Sequence, residues 1–191
     1  MSYQATIFDV MIASPSDVPQ ARNTARDVIH EWNAVNSKSR KIILQPVGWE
    51  THASPAMGDR AQEILNMQLL KDSDLLVAIF WTRLGSPTGK APSGTVEEIN
   101  KHIQNGKPTM IYFSTAPIPQ NFNQEQYNAL QSFKGECKKN GYCESFDDDA
   151  DFRSKFVKHL AMKLNSLPYF KIHQASGYSA DFTLNSAISA R

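Results

Sequence analysis

The sequence predicts one open α/β domain, a five-stranded parallel sheet with helices on both faces. Three observations predict it. Short apolar runs alternate with stretches of helical period along most of the chain. The run at residues 75–81 is apolar throughout, as a strand covered on both faces must be. Five β–α units in succession need crossover connections, which keep one hand and build a parallel sheet. For five such units the flavodoxin-like strand order 2-1-3-4-5 is the natural arrangement.

Each element has its own justification. Residues 7–13 are apolar except for Asp9 and form the first strand. The turn Ser14-Pro15-Ser16-Asp17 follows, with Ser16 as the expected N-cap and Asp17 in the first helical turn. Val18, Ala21, Ala25, Val28, Trp32 and Val35 then recur at spacings of three and four, one face of a helix lying on the sheet. Residues 42–47 make a second strand, which Pro46 ends or confines to an edge. A polar stretch at 48–58 leads to a helix with Ala61, Ile64, Leu65 and Leu69 inward.

The covered strand at 75–81 runs into a Gly- and Pro-containing loop at 82–94, then a helix with Val96, Ile99 and Ile103 on one side. Gly106 and Pro108 stop that helix. Residues 109–113 form the fourth strand, and Tyr127, Leu130, Phe133 and Cys137 mark the next helix. A short fifth strand is expected at 142–146, and Phe152, Phe156, Leu160 and Leu164 mark the last helix. Beyond Pro168 the pattern dissolves, so the domain is placed at 1–167, with 168–191 a tail or linker.

Composition narrows the partners. Twenty basic and 19 acidic side chains leave a formal charge of +1. That balance carries no footprint for a nucleic-acid backbone or an anionic membrane. No apolar run approaches the roughly 20 residues of a membrane-spanning helix. The first eight residues lack the pattern of a signal peptide, and Cys137 and Cys143 fit no metal motif. A cytoplasmic protein without metal or resident cofactor is expected.

Ligands of open α/β sheets bind outside the carboxyl ends of the strands, where the strand order reverses. The loops expected there, at 14–17, 48–58 and 82–94, include two longer than roughly six residues, the usual upper length of such connections. After the second strand come Trp49, Glu50 and His52. After the third come Arg83, Gly85, Ser86, Thr88 and Gly89, then Ser93-Gly94-Thr95 leading to Glu97 and Glu98. A Gly/Ser/Thr-rich loop entering a helix N-terminus suits phosphate, although neither nucleotide fingerprint, G-x-G-x-x-G or G-x-x-x-x-G-K-[ST], is present. Each residue also has an ordinary use. Acids near a helix start complement its dipole, lone tryptophans pack, and the run at 147–151 caps a helix. Arg83 could pair with Glu97 or Asp59.

The segments MIASPSDV, GWETHASPAMGDRAQ, DLLVAIFWTRLGSPTG and SGTVEEI…NGKPTMIYFS resemble a bacterial domain of uncharacterised function. That domain is grouped with the Toll/interleukin-1 receptor (TIR) superfamily, near the nucleoside deoxyribosyltransferases. The resemblance spans about residues 5–165. It implies a flavodoxin-like fold and, as in many bacterial TIR-like domains, cleavage of the nicotinamide–ribose bond of NAD. Those enzymes use a glutamate at the start of the helix after the third strand. The transferases place theirs three residues after a Gly-Thr or similar pair. By that spacing Gly94-Thr95 points to Glu98, with Glu97 second. The transferases' short D-x-G lead-in is replaced here by Pro92-Ser93-Gly94.

On this reading NAD is the substrate rather than a cofactor, and Glu98 stabilises the oxocarbenium-like ribose or attacks it. Trp49 or Trp81 stacks on a base, and Ser14, Arg83, Ser86 and Thr95 hold phosphate or hydroxyls. The resemblance also implies self-assembly or a regulatory partner protein, as in defence against phage. Two other classes stay open: a nucleoside or nucleotide N-glycosidase or deoxyribosyltransferase, and a non-catalytic module that senses a nucleotide or binds another TIR-like domain.

Overall fold

The computed structural model describes residues 2–48, 70–166 and 170. Its elements are β1 (Thr6–Ala13), α1 (Pro19–Arg40), β2 (Ile42–Val47), β3 (Leu75–Phe80), α2 (Gly94–Gln104), β4 (Thr109–Ser114), α3 (Gln124–Asn140), β5 (Glu144–Phe146) and α4 (Asp149–Ser166). The sheet has the order β2-β1-β3-β4-β5, and every pairing is parallel. This is the flavodoxin-like arrangement the β–α alternation predicts. The helix expected at Ala61, Ile64, Leu65 and Leu69 and most of the tail after Pro168 lie outside the described residues. Phe170 packs edge-on against Phe8, with ring centroids 5.0 Å apart.

β3 is the middle strand, and all six of its residues are buried. Leu75, Val77 and Ile79 face the layer of α1 and α4, while Leu76, Ala78 and Phe80 face that of α2 and α3. Each large apolar side chain so buried stabilises the fold by about 1.5–3 kcal/mol, so a charge at Val77 or Ile79 would break the sheet. On the α4 side, Phe152, Phe156, Leu160 and Leu164 are buried at the predicted spacing. Phe152 meets Tyr112 of β4 edge-on at 5.3 Å. Thr24 ties α1 to the start of α4 by donating to Asp149 Oδ1 at 2.7 Å. Asp148 caps α4 as expected, its Oδ1 accepting from Asp151 N at 2.8 Å.

β2 is an edge strand, as Pro46 foretells, although it continues to Val47. Asn33 of α1 reaches over it: Nδ2 donates to Leu44 O at 2.7 Å, and Oδ1 accepts from Leu44 N at 2.8 Å.

Four local expectations need correction. α1 starts at Pro19, not after a Ser16 cap, and Val18 precedes it with no side-chain cap. Proline suits the first helical position because its fixed φ matches and it has no N–H to satisfy. It also keeps Val18 out of helical geometry. Val35 is 79% exposed, because the buried stripe of α1 runs past Trp32 one position out of step with it. On α2, Ile103 is 52% exposed and His102 is fully buried in its stead. The imidazole can take that place because Nδ1 lies 3.1 Å from Thr109 Oγ1 and Nε2 3.3 Å from Ser73 O. Finally, β5 has three residues rather than five, and Tyr142 is 82% exposed, its hydroxyl donating to Glu144 Oε2 at 2.5 Å.

Candidate functional site

The helices after β1 and β3 lie on opposite faces of the sheet. The strand order therefore reverses between these two strands, and their carboxyl ends open the crevice in which such folds bind ligands. The loops there are stitched together. Asp17, two residues before α1, accepts three hydrogen bonds at Oδ2: from Thr82 N at 2.9 Å, Thr82 Oγ1 at 2.8 Å and Arg83 N at 3.1 Å. Its other oxygen, Oδ1, is buried with no hydrogen-bond partner among the described residues. Arg83, exposed, adds a contact from its guanidinium to Ser16 Oγ at 3.3 Å.

The turn after β1 is braced from below by Arg22. This buried guanidinium donates from Nε to Ser14 Oγ at 2.9 Å and from an Nη to Pro15 O at 3.0 Å. Ser14 is thus a fixed, half-buried hydroxyl at the crevice.

The loop after β3 turns at Gly85, whose φ of +107° is left-handed backbone that favours glycine. A Cβ there would also sit 3.2 Å from Ser93 Cβ. Gly85 N donates to Gln126 Oε1 on α3 at 2.9 Å, which anchors the loop to a second helix. Ser93 then caps α2, accepting from Val96 N at 3.1 Å.

α2 carries the two candidate glutamates, and the structure gives them different surroundings. Glu97 receives Thr88 Oγ1 at 2.5 Å and pairs with Lys101 at 3.2 Å. That closes the loop onto the helix, a structural use. Glu98 is also buried, and shares its helix face with Thr95, Ile99 and His102.

The remaining predicted residues divide. Thr95 is buried two residues into α2, and Ser86 is exposed on the loop. Trp81 is half-buried against the α1–α4 layer, and its Nε1 donates to Ala116 O at 3.2 Å. Its ring is committed to packing beside the loop after β4. Trp49, with Glu50, His52 and Asp59, lies outside the described residues. Arg83 pairs with Ser16 rather than Glu97. Asp17, Arg22 and Thr88 were missed as site-builders. Asp17 looked like a helix-start acid, and nothing in sequence spacing links it to Thr82, 65 residues away.

Among the described residues no group of three or more His, Cys, Asp or Glu side chains stands together as a metal site would require. No described helix is long and apolar enough to cross a membrane.

The model of a family described as "Domain of unknown function (DUF4062)" matches residues 11–161. No curated protein matches the chain. The solved structures similar to the chain include three that share its α/β fold. The apo translation elongation factor SelB from Methanococcus maripaludis is 11% identical with a TM-score of 0.48; the match covers 86% of this chain and 36% of that one. The chain thus spans about a third of that factor. Oxidised flavodoxin 1 from Bacillus cereus is 14% identical, TM-score 0.43, with 85% of this chain and 99% of that one covered. A short-chain flavodoxin associated with a non-canonical PDU bacterial microcompartment is 13% identical, TM-score 0.40, covering 82% and 97%.

Proposed function

We propose that this chain, which belongs to the DUF4062 family, is an N-glycosidase acting on NAD with Glu98 as its catalytic carboxylate. The observation that carries the reading is the burial of Glu98 early in α2, at the end of the sheet where the strand order reverses. The sequence resemblance to TIR-like domains supports the choice of NAD.

The chemistry asks little more of the protein. Breaking the bond between nicotinamide and ribose builds positive charge on the sugar, and a nearby carboxylate in a water-poor crevice stabilises it. Nicotinamide leaves as a neutral molecule from a cationic precursor, so no separate general acid is needed. Water then adds to the anomeric carbon and gives up a proton. Around the crevice, Ser14 and the Thr82–Arg83 backbone are held in place by Arg22 and Asp17. Fixed groups of this kind suit the hydroxyls and phosphates of a dinucleotide. Glu97, spent on Thr88 and Lys101, maintains the loop.

The test is nicotinamide release from NAD by the purified chain at high concentration, wild type beside Glu98→Ala, with matched thermal melts. The expected loss in the variant is at least about 100-fold, the scale of removing one electrostatic stabiliser. Equal release by both proteins removes Glu98 from the mechanism. No release by either refutes the glycohydrolase reading in favour of a nucleotide-binding module. Release of free base from nucleosides instead moves the substrate class.

A further inference from the structure

At the opposite end of the sheet, β5 is too short to cover its neighbour. It pairs only with Tyr112, Phe113 and Ser114, so among the described residues the first half of β4, Thr109 to Ile111, has no strand on its outer side. The chain between α3 and β5 stands away from β4 and walls off a cleft of about 830 Å³. That volume falls within the roughly 300–1,000 Å³ of small-molecule sites. Ile99 and Ile103 of α2, Ile111 of β4, Phe133 of α3 and Met162 of α4 give it an apolar lining. Three of the large apolar side chains exposed on the described surface, Ile103, Tyr142 and Met162, belong to this cleft.

Its polar groups are few and unevenly used. Tyr112 Oη and His159 Nδ1 lie 2.9 Å apart, with the rings stacked at 5.9 Å, which fixes that wall. Glu144 is occupied: Tyr142 Oη donates to Oε2 at 2.5 Å and Ser145 N to Oε1 at 3.0 Å. Glu136 is an exposed carboxylate on the α3 wall. On the α4 wall, Lys158 and Lys163 have no hydrogen-bond or ion-pair partner among the described residues. The cleft therefore pairs an apolar body with two uncommitted cations on one wall.

We infer that this cleft is a second binding site, one that takes a small amphipathic carboxylate. The apolar body lies along Ile111 and Phe133 in the place of the missing strand, and the acid head meets Lys158 and Lys163. The site is independent of the NAD reading, since it shares none of the proposed catalytic residues.

The full-length chain is titrated with 8-anilinonaphthalene-1-sulfonate, an aromatic body with one anionic head, and its fluorescence enhancement is competed with dodecanoate and with dodecan-1-ol. Dodecanoate is expected to displace the probe at a concentration about tenfold below that of the alcohol. Ile111→Trp, which fills the cleft, is expected to abolish the enhancement, and the double variant Lys158→Glu with Lys163→Glu to erase the preference for the acid. Equal displacement by acid and alcohol in the wild type overturns the assignment, as does full enhancement in a folded Ile111→Trp protein. If Ile111→Trp lacks a cooperative melt, Met162→Glu takes its place. Met162 is 56% exposed, so its replacement leaves the core alone and sets a carboxylate in the cleft. Undiminished dodecanoate binding there overturns the proposal equally.

Discussion

His102→Gln should abolish an acid-induced loss of stability that the wild-type protein shows between about pH 6.5 and pH 4. Burial of the imidazole, reinforced by the Lys107 ammonium, lowers its pKa from 6.5 to about 4 against the opposing pull of Ser73 O and Asp74. The neutral ring is well served: Nε2–H donates to Ser73 O, and Nδ1 accepts the Thr109 hydroxyl. A second proton would have to sit at Nδ1, and Lys107 Nζ already lies 2.7 Å from the same Ser73 oxygen. Because the folded pKa is depressed, the unfolded chain binds the proton first as pH falls. The stability is complete above pH 6.5 and is lost on the way down to the folded pKa. With one pKa unit worth about 1.4 kcal/mol, the loss is about 2 kcal/mol at pH 5 and about 3 kcal/mol at pH 4.

The assay is urea denaturation followed by circular dichroism from pH 7.5 to 4.5, wild type beside His102→Gln. Glu144 and Asp151, whose carboxyls are held below their ordinary range by Tyr142 and Lys155 respectively, also shed stability in acid. They do so in both proteins and cancel in the difference. At neutral pH the variant should be the less stable, having lost the fitted ring. The gap should then close, or reverse, by about 2 kcal/mol at pH 5. A gap constant across the range would mean that the folded protein accommodates the imidazolium, and the reasoning from burial would be wrong.

Two further outcomes are expected. Asp17→Ala strands the Thr82 and Arg83 donors and should cost about 1–3 kcal/mol in a thermal melt; faster hydrogen exchange at these two amides would identify the cause, and unchanged exchange would contradict it. Gly85→Ala forces a Cβ into left-handed backbone beside Ser93 and should cost about 1–3 kcal/mol; a melt within about 0.5 kcal/mol of wild type would show that the loop relaxes freely.

The order and type of the elements could be read from sequence because each strand is apolar enough to need two covered faces or one edge. Leu75 to Phe80 and Pro46 each announce their position in the sheet. The errors arise where a polar residue buys burial with a specific partner. His102 displaces Ile103 from the inward face through Thr109 and Ser73, contacts that periodicity cannot see. Asn33 extends the stripe of α1 where Val35 seemed to, because its amide finds Leu44. The position of the loops at 14–17 and 82–94, and of the two glutamates at the start of α2, was legible in the sequence. That Thr88 holds Glu97 was not, since Thr88 stands nine residues away along a loop of irregular backbone.

The contact between Asn33 and Leu44 has a consequence for how copies of this chain can associate. Lys41 O accepts from Thr6 N, so the alternation along β2 points the main-chain groups of Ile42, Leu44 and Pro46 away from β1, while the Ile42 and Leu44 side chains stay in the core. An open strand edge is a template on which another chain can polymerise. Here the side-chain amide of Asn33 occupies both the donor and the acceptor of Leu44, as a neighbouring strand would, and Pro46 has no donor to offer. Sheet-to-sheet growth through the β2 edge is thus blocked at its middle, which leaves the β4–β5 side as the sheet's open flank.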